Sequence, residues 1–392
     1  MQYLKQQNPI FIPGPTNTPD VLKSAMNASN FDHRSADFAG DYLALLNDLK
    51  QVFKTETGQV LLYSATGTGG WEGAISNTLC AGDKVLIARY GMFSQRWIEL
   101  CQRFGLDVEV VDCEWGSPAP VEEFGRRLKA DSKGEIKAVL VTHNETATAV
   151  KSDVHGVRKA IDAANHNALL MVDAVSSLAS MEFRMDDWGV DIAITGAQKG
   201  FMLNTGLAIV GISPKAMAAT KTATLPRCFF DFNDMANANA IGSYPYTPPI
   251  QLFNGLRASV SLLLNEGMDN VYARHHRIAE GVRAAVGAWG LEMCAQSPEL
   301  YSDTVTAIMV PEGKDANFIT QHAYKAYGVS FGGGLGQMAG KLFRIGHLGA
   351  MTDVMALSGI ATAEMVMVDL GYDIQLGSGV AAAQRVYSRG FS

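Results

Sequence analysis

Two side chains able to do covalent and acid–base chemistry sit where buried strands should end. Ile192-Ala193-Ile194-Thr195-Gly196 is an apolar run closed by Thr-Gly, and Ala197-Gln198-Lys199-Gly200 follows it. A lysine placed just past a buried strand keeps its stem in apolar surroundings and its amine partly desolvated. Desolvation lowers the amine pKa and frees the lone pair for addition to a carbonyl. Upstream, Ala168-Leu169-Leu170-Met171-Val172-Asp173 is a second buried-type strand, and it ends in a carboxylate. One Lys and one Asp delivered by neighbouring strand ends suit pyridoxal phosphate: Lys199 for the Schiff base, Asp173 for the pyridinium nitrogen. Either residue alone reads better as part of an ordinary surface loop. The pair is more informative, because both runs are near-continuously apolar and point to one buried parallel sheet.

Further candidates lie at other strand ends. Val60-Leu61-Leu62-Tyr63-Ser64 runs into Ala65-Thr66-Gly67-Thr68-Gly69-Gly70, then Trp71-Glu72. A strand, a glycine-rich turn and a helix start can wrap an anion in backbone N–H groups. The stretch is neither a dinucleotide fingerprint nor a Walker sequence, and a tight turn needs glycine in any case. Phe93 follows the strand Lys84–Ala88 and is either a stacking surface for a planar ring or a core plug. Arg344 lies inside the apolar strand Leu342–Ile345, where an unpaired charge is costly. Its partner is a ligand carboxylate or a structural acid. Arg34, in Asp32-His33-Arg34-Ser35, can bind a carboxylate bidentately or sit in a solvated loop, with Ser35 capping the next helix.

These positions demand a particular scaffold. Strands alternate with helical stretches from residue 60 to residue 211, which predicts an α/β domain with a largely parallel sheet. Ligands in such sheets sit at the carboxyl ends of the strands. Helical periodicity covers about 40–54, about 153–165 and a long stretch from 251 to 288, broken near Gly267. Residues 221–250, with Tyr244-Pro245-Tyr246-Thr247-Pro248-Pro249, read as irregular. After about 300 the pattern becomes a smaller α+β unit, with a turn at Gly332-Gly333-Gly334. Pro13-Gly14-Pro15-Thr16 reads as a rigid segment ahead of any regular element, crossing the surface or reaching a partner. The expected division is 1–20 extended segment, 21–265 large domain and 266–392 small domain.

Composition narrows the class. The 392 residues are 47% hydrophobic and 18% charged, with a formal charge of −7. That describes a globular protein and argues against nucleic acid as the main partner. The five cysteines are scattered, without zinc spacing, which fits a reducing compartment and no metal site. No run is apolar enough to span a membrane and the N-terminus does not read as a signal peptide, so a cytoplasmic location is expected.

Taken together, the motifs PGPT, VDAVSS, GAQKG, YPYTPP and FRIGHLG resemble the class V aminotransferases of fold type I. The nearest subgroup is the serine–, aspartate– and alanine–glyoxylate aminotransferases. The resemblance covers nearly the whole chain. It implies pyridoxal 5'-phosphate as cofactor and transfer of an amino group from a small L-amino acid to glyoxylate in a ping-pong cycle. It implies a large domain with a mostly parallel seven-stranded sheet and a smaller C-terminal α+β domain. Lys199 is then the covalent lysine and proton shuttle, and Asp173 the ring-nitrogen partner. Phe93 takes the stacking position, often Trp in relatives, and Thr146 the hydroxyl position beside the pyridoxal O3′. Thr66, Gly67, Thr68 and Gln198 bind the phosphate from one subunit. Tyr244 and Thr247 reach it from the other, which makes a homodimer. Arg344 takes the substrate α-carboxylate, and Arg34 is the candidate for a second carboxylate. Where relatives commonly read Pro-Pro-Gly after the lysine, this chain has Asn204-Thr205-Gly206. A cysteine desulfurase or lyase of the same superfamily is the alternative, but Gln198 stands where those typically place His. A non-catalytic protein on the same fold is the remaining one, and the joint presence of Lys199, Asp173 and Arg344 speaks against it.

Overall fold

A computed structural model describes residues 9–388. Its centre is a seven-stranded sheet in the spatial order Gln59–Tyr63, Ala208–Ile212, Ile192–Gly196, Leu169–Asp173, Ile136–Thr142, Lys84–Arg89, Asp107–Asp112. All neighbours run parallel except Ala208–Ile212, which is antiparallel to both of its partners. Four of these strands carry no exposed residue at all save Lys137, which explains their unbroken apolar sequences: helices cover both faces, so neither side has to be polar. The strands Thr142 and Asp173 end in register with each other, and Asp173 lies opposite Ile194 of the next strand. Asp173 and Lys199 are thereby brought to the same edge of the sheet.

A second sheet of four strands, ordered Ile10–Phe11, Ser330–Gly333, Leu342–Gly346, Val305–Met309, carries Arg344 in one of its two inner strands. It has its own core, with Ile278, Trp289, Phe343, Ile360 and Phe11 among the buried members. The two helices Ile250–Glu266 and Met268–Ala288 are divided at Gly267, whose φ of +84° is a conformation open to glycine, as the sequence predicts.

The structure departs from the sequence reading at three places. The Gly332-Gly333 pair belongs to the strand Ser330–Gly333 rather than to a turn. A Cβ on Gly332 would press on Pro13 and on the Arg344 side chain, so Gly332 makes room rather than a bend. Within 221–250, a helix forms over Phe232–Asn239, ahead of the prolines, with the Asp231 side chain accepting from the N–H of Asn233 and of Asp234. The N-terminal segment does not lie on the surface. Ile10 and Phe11 already pair with Ser330 and Phe331, and Phe11, Pro13 and Thr16 are buried.

That segment is a strap between the two sheets. Gly346, in the Arg344 strand, has the Ile12 carbonyl and the Pro13 nitrogen directly above its Cα, with no space for a side chain. Gly346→Ala should therefore lift the strap and lower stability by about 1–3 kcal/mol. Thermal or denaturant unfolding tests this, and a wild-type midpoint would show that the strap is not packed on this strand.

Candidate active site

The carboxyl edge of the large sheet opens into a cavity of about 320 Å³, lined by Thr66, Gly67, Thr68, Trp71, Phe93, Thr146, Asp173, Ser176, Gln198, Lys199 and the strap residues Gly14 and Pro15, among others. Eight sequence candidates meet here: Lys199, Asp173, Thr66, Gly67, Thr68, Phe93, Thr146 and Gln198. Each comes from a strand end or from the helix that follows one. Trp71 and Ser176 were not singled out as site residues. Trp71 stacks on Trp97, its ring centroid 5.4 Å away, and a core aromatic and a cavity wall look alike in sequence.

Lys199 projects towards the strap. Its amine donates to the Pro13 carbonyl, while Thr16 N–H donates to Gln198 O at 3.1 Å and the Thr16 hydroxyl donates to Lys199 O at 3.3 Å. Gly14 has φ +109° and any side chain on it would overlap the lysine stem, so glycine is required there for both reasons. Burial pushes the Lys199 amine down to about 8, helped by the positive charge of Arg344 and opposed by Asp173. Asp173 moves the other way, up to about 7, because burial and the negative Glu145 disfavour its charge. Its Oδ1 accepts the Val175 N–H at 2.9 Å, which favours the carboxylate, and its Oδ2 remains for another partner.

The helix Gly67–Thr78 begins at the cavity wall. Its cap residue Thr66 gives no side-chain hydrogen bond to the helix, so the first N–H groups and the positive end of the dipole face an anion-sized space. Gln198 Oε1 is buried without a hydrogen-bond partner among the described residues, and the Trp71 side chain lies beside Asp173 and favours its carboxylate. An anion cradle at one end and a carboxylate and an amine at the other fit pyridoxal phosphate. Thr146 gives its hydroxyl hydrogen to Ser176 Oγ at 2.7 Å, leaving the oxygen's lone pairs towards the cavity group.

Arg344 is 6% exposed. Nε donates to Gly333 O and Nη1 to Thr146 O, both at 2.9 Å. Among the described residues it makes no contact ion pair; the acid that acts on it, Glu145, does so only through space. Burial lowers it to about 10, still a cation at neutral pH.

Three candidates lie elsewhere. Tyr244 is 5% exposed and gives its hydroxyl hydrogen to Leu62 O at 3.1 Å within its own chain. Thr247 and Arg34 are exposed and line no part of their own chain's cavity. Asp32 receives the Arg34 main-chain N–H at 2.9 Å, and Ser35 caps the helix Ala36–Phe53 by accepting from Phe38 N–H. No cluster of potential metal ligands occurs among the described residues, and no helix there is long and apolar enough to cross a membrane.

The low amine pKa has a direct consequence. In cofactor-free protein Lys199 should acylate with a half-maximal rate near pH 8, against about 10.4 for ordinary lysines. Asp173→Asn removes the charge that favours the ammonium and should move the inflection lower still. Peptide mass spectrometry after brief labelling across a pH series checks both; an inflection near that of surface lysines would contradict the burial.

Comparison with known proteins agrees with this geometry. Residues 20–329 match the family described as aminotransferase class-V. The chain is 63% identical to the L-aspartate–glyoxylate aminotransferase of Paracoccus denitrificans, over 98% of this chain and 97% of that one. It is 54% identical to the serine–glyoxylate aminotransferase of Hyphomicrobium methylovorum, over 97% and 94%. The crystal structure of pyridoxamine–pyruvate aminotransferase from Mesorhizobium loti superposes with a TM-score of 0.90 at 27% identity, covering 98% of both chains. The chain belongs to the class-V aminotransferases, pyridoxal phosphate enzymes of fold type I.

Proposed function

We propose that this enzyme transfers the amino group of a small L-amino acid to glyoxylate, giving glycine. The observation that carries the reading is that Arg344, a buried cation with no acid of its own, stands beside a cavity holding Lys199, Asp173 and an open helix N-terminus. The relatives at 63% and 54% identity, named for aspartate and serine as donors to glyoxylate, support the substrate class, with aspartate ahead.

Pyridoxal phosphate, when bound, supplies the aldehyde that exchanges amines and a ring that accepts electron density. The protein's residues supply the rest. Thr66, Gly67, Thr68 and Gln198 hold the phosphate with main-chain and side-chain donors at the positive end of the helix. Asp173 Oδ2 holds the proton on the ring nitrogen, and Phe93 walls the ring. Lys199 Nζ, neutral at mildly basic pH, carries the proton to and from the substrate Cα. Arg344 retains one hydrogen on Nη1 and both on Nη2, enough for a two-point contact with the α-carboxylate.

The same reading includes a cytosolic homodimer with composite sites and the division at about residues 20 and 265. The exposed hydroxyl of Thr247 and the exposed Arg34 gain a role only if a second copy brings them to the cavity. Tyr244 would have to release Leu62 to donate to a phosphate. A cavity that keeps the strap, the cradle and Arg344 together leaves little for a desulfurase, and none of the five cysteines lines it.

Lys199→Ala should abolish steady-state transamination, and measurable turnover without added amine would sink the assignment. Arg34→Ala, assayed with each donor in turn, should lower kcat/KM for aspartate by about tenfold to a hundredfold, the loss of one charge-assisted contact, and leave serine nearly unchanged. Equal losses for both donors would make Arg34 structural.

A further inference from the structure

Beside the cavity, and outside its lining, lies a buried acid that the proposed chemistry does not use. Glu145 is completely buried. It ends the two-residue strand Asn144–Glu145, which pairs with Val150–Lys151 just after the Ile136–Thr142 strand, and it makes no ion pair among the described residues. Its carboxylate is instead filled by main-chain N–H groups. Phe93 N–H reaches Oε1 and Oε2 at 3.2 and 3.1 Å, Ser94 N–H reaches Oε2 at 3.0 Å, and Ala147 N–H reaches Oε1 at 3.2 Å. Phe93 and Ser94 open the helix Met92–Arg103, so the acid caps that helix from a distant loop rather than from its own sequence. Burial raises its pKa while these N–H groups oppose the rise.

The contacts lead in two directions. On one side the acid fixes the backbone of Phe93, whose ring walls the cavity. On the other it is bonded to Thr146, whose side chain lines the cavity and whose carbonyl receives Arg344 Nη1. Glu145 also favours the charge on Arg344 through space, yet its lone pairs are already occupied by N–H groups. It therefore supplies negative charge near the guanidinium without competing for the donors an incoming carboxylate needs. The fit is close: Gly91, the residue capping the helix, has an extended backbone that any residue adopts, but a Cβ on it would overlap Glu145 Cγ and Cδ.

We propose that Glu145 is a positioning residue that locks the ring wall at Phe93 and the carboxylate anchor at Arg344 into one unit. The proposal rests on reading the cavity as the cofactor and substrate site. It distinguishes Glu145 from a structural cap, because a cap would affect stability and not both halves of the site together.

Glu145→Gln is the test. The amide offers one acceptor but turns an NH2 towards N–H groups that it cannot serve. Two quantities are measured: the dissociation constant of pyridoxal phosphate from resolved protein, by absorbance, and KM for glyoxylate in the reconstituted enzyme. Both should rise roughly tenfold or more, the scale seen when a group orienting a ligand-binding side chain is lost. Phe93→Ala should move mainly the first and Arg344→Lys mainly the second. Should Glu145→Gln yield no soluble protein, Gly91→Ala, which displaces the carboxylate while keeping its charge, is read in the same two measurements. A change in only one quantity, or both within about twofold of wild type, overturns the proposal. Failure of wild-type protein to bind pyridoxal phosphate would instead overturn the reading on which it rests.

Discussion

Four ionisable groups share a dry interior, and none could be left there alone. Asp173 and Glu145 are acids, Lys199 and Arg344 are bases, and all four are buried or nearly so. An isolated charge in such a place is expensive enough that the group would neutralise or the fold would open. Here the signs balance without a single contact ion pair among the four. Each charge is instead held by main-chain dipoles: Val175 N–H at Asp173, the Phe93, Ser94 and Ala147 N–H groups at Glu145, Gly333 and Thr146 carbonyls at Arg344, Pro13 carbonyl at Lys199. The separation leaves Lys199, Asp173 and Arg344 with hydrogen-bonding capacity to spare, while the Glu145 carboxylate is filled by N–H groups. It also requires that the backbone segments carrying those dipoles stay in place, which ties the two sheets, the strap and the loop after Thr142 to one another.

How much of this was legible in the sequence follows from range. The Asp173 and Lys199 strands were readable because burial on both faces produces an unbroken apolar run, and a polar residue after such a run marks a strand end. The gap at Gly267 and the cap at Ser35 were readable because both are local. The strand at Ser330–Gly333 was not, since Gly332 there serves a neighbour, Pro13, that arrives from far earlier in the chain. Glu145 was invisible for the same reason. Its partners are the N–H groups of a helix some fifty residues upstream, |i−j| of 51 and 52, and a glutamate in a polar loop carries no mark of that use. Tyr244, Thr247 and Arg34 stand apart, because a single chain offers them no place in its own cavity.

Family membership and local geometry support each other at different depths. The match over residues 20–329 fixes the chemistry class, while the loop after Lys199 is particular to this chain. Asn204 and Thr205 are both exposed there, and Thr205 lines the cavity. The loop they form retains Gly206, at φ +151°, against Leu252, so its turn does not depend on the two prolines common in relatives.

The strap has an implication for how the chain is made. Ile10 finds its strand partner at Ser330, and Phe11 at Phe331. On a ribosome this strand must wait for a partner made far later in the chain. Contacts of such sequence separation form late and slow the approach to the native state. The large sheet, whose strands are closed by residue 212, can assemble well before that. The strap therefore answers to both sheets: Thr16 and Pro13 hold it to the Lys199 loop, while Ile10 and Phe11 find their partners only once the small sheet is made.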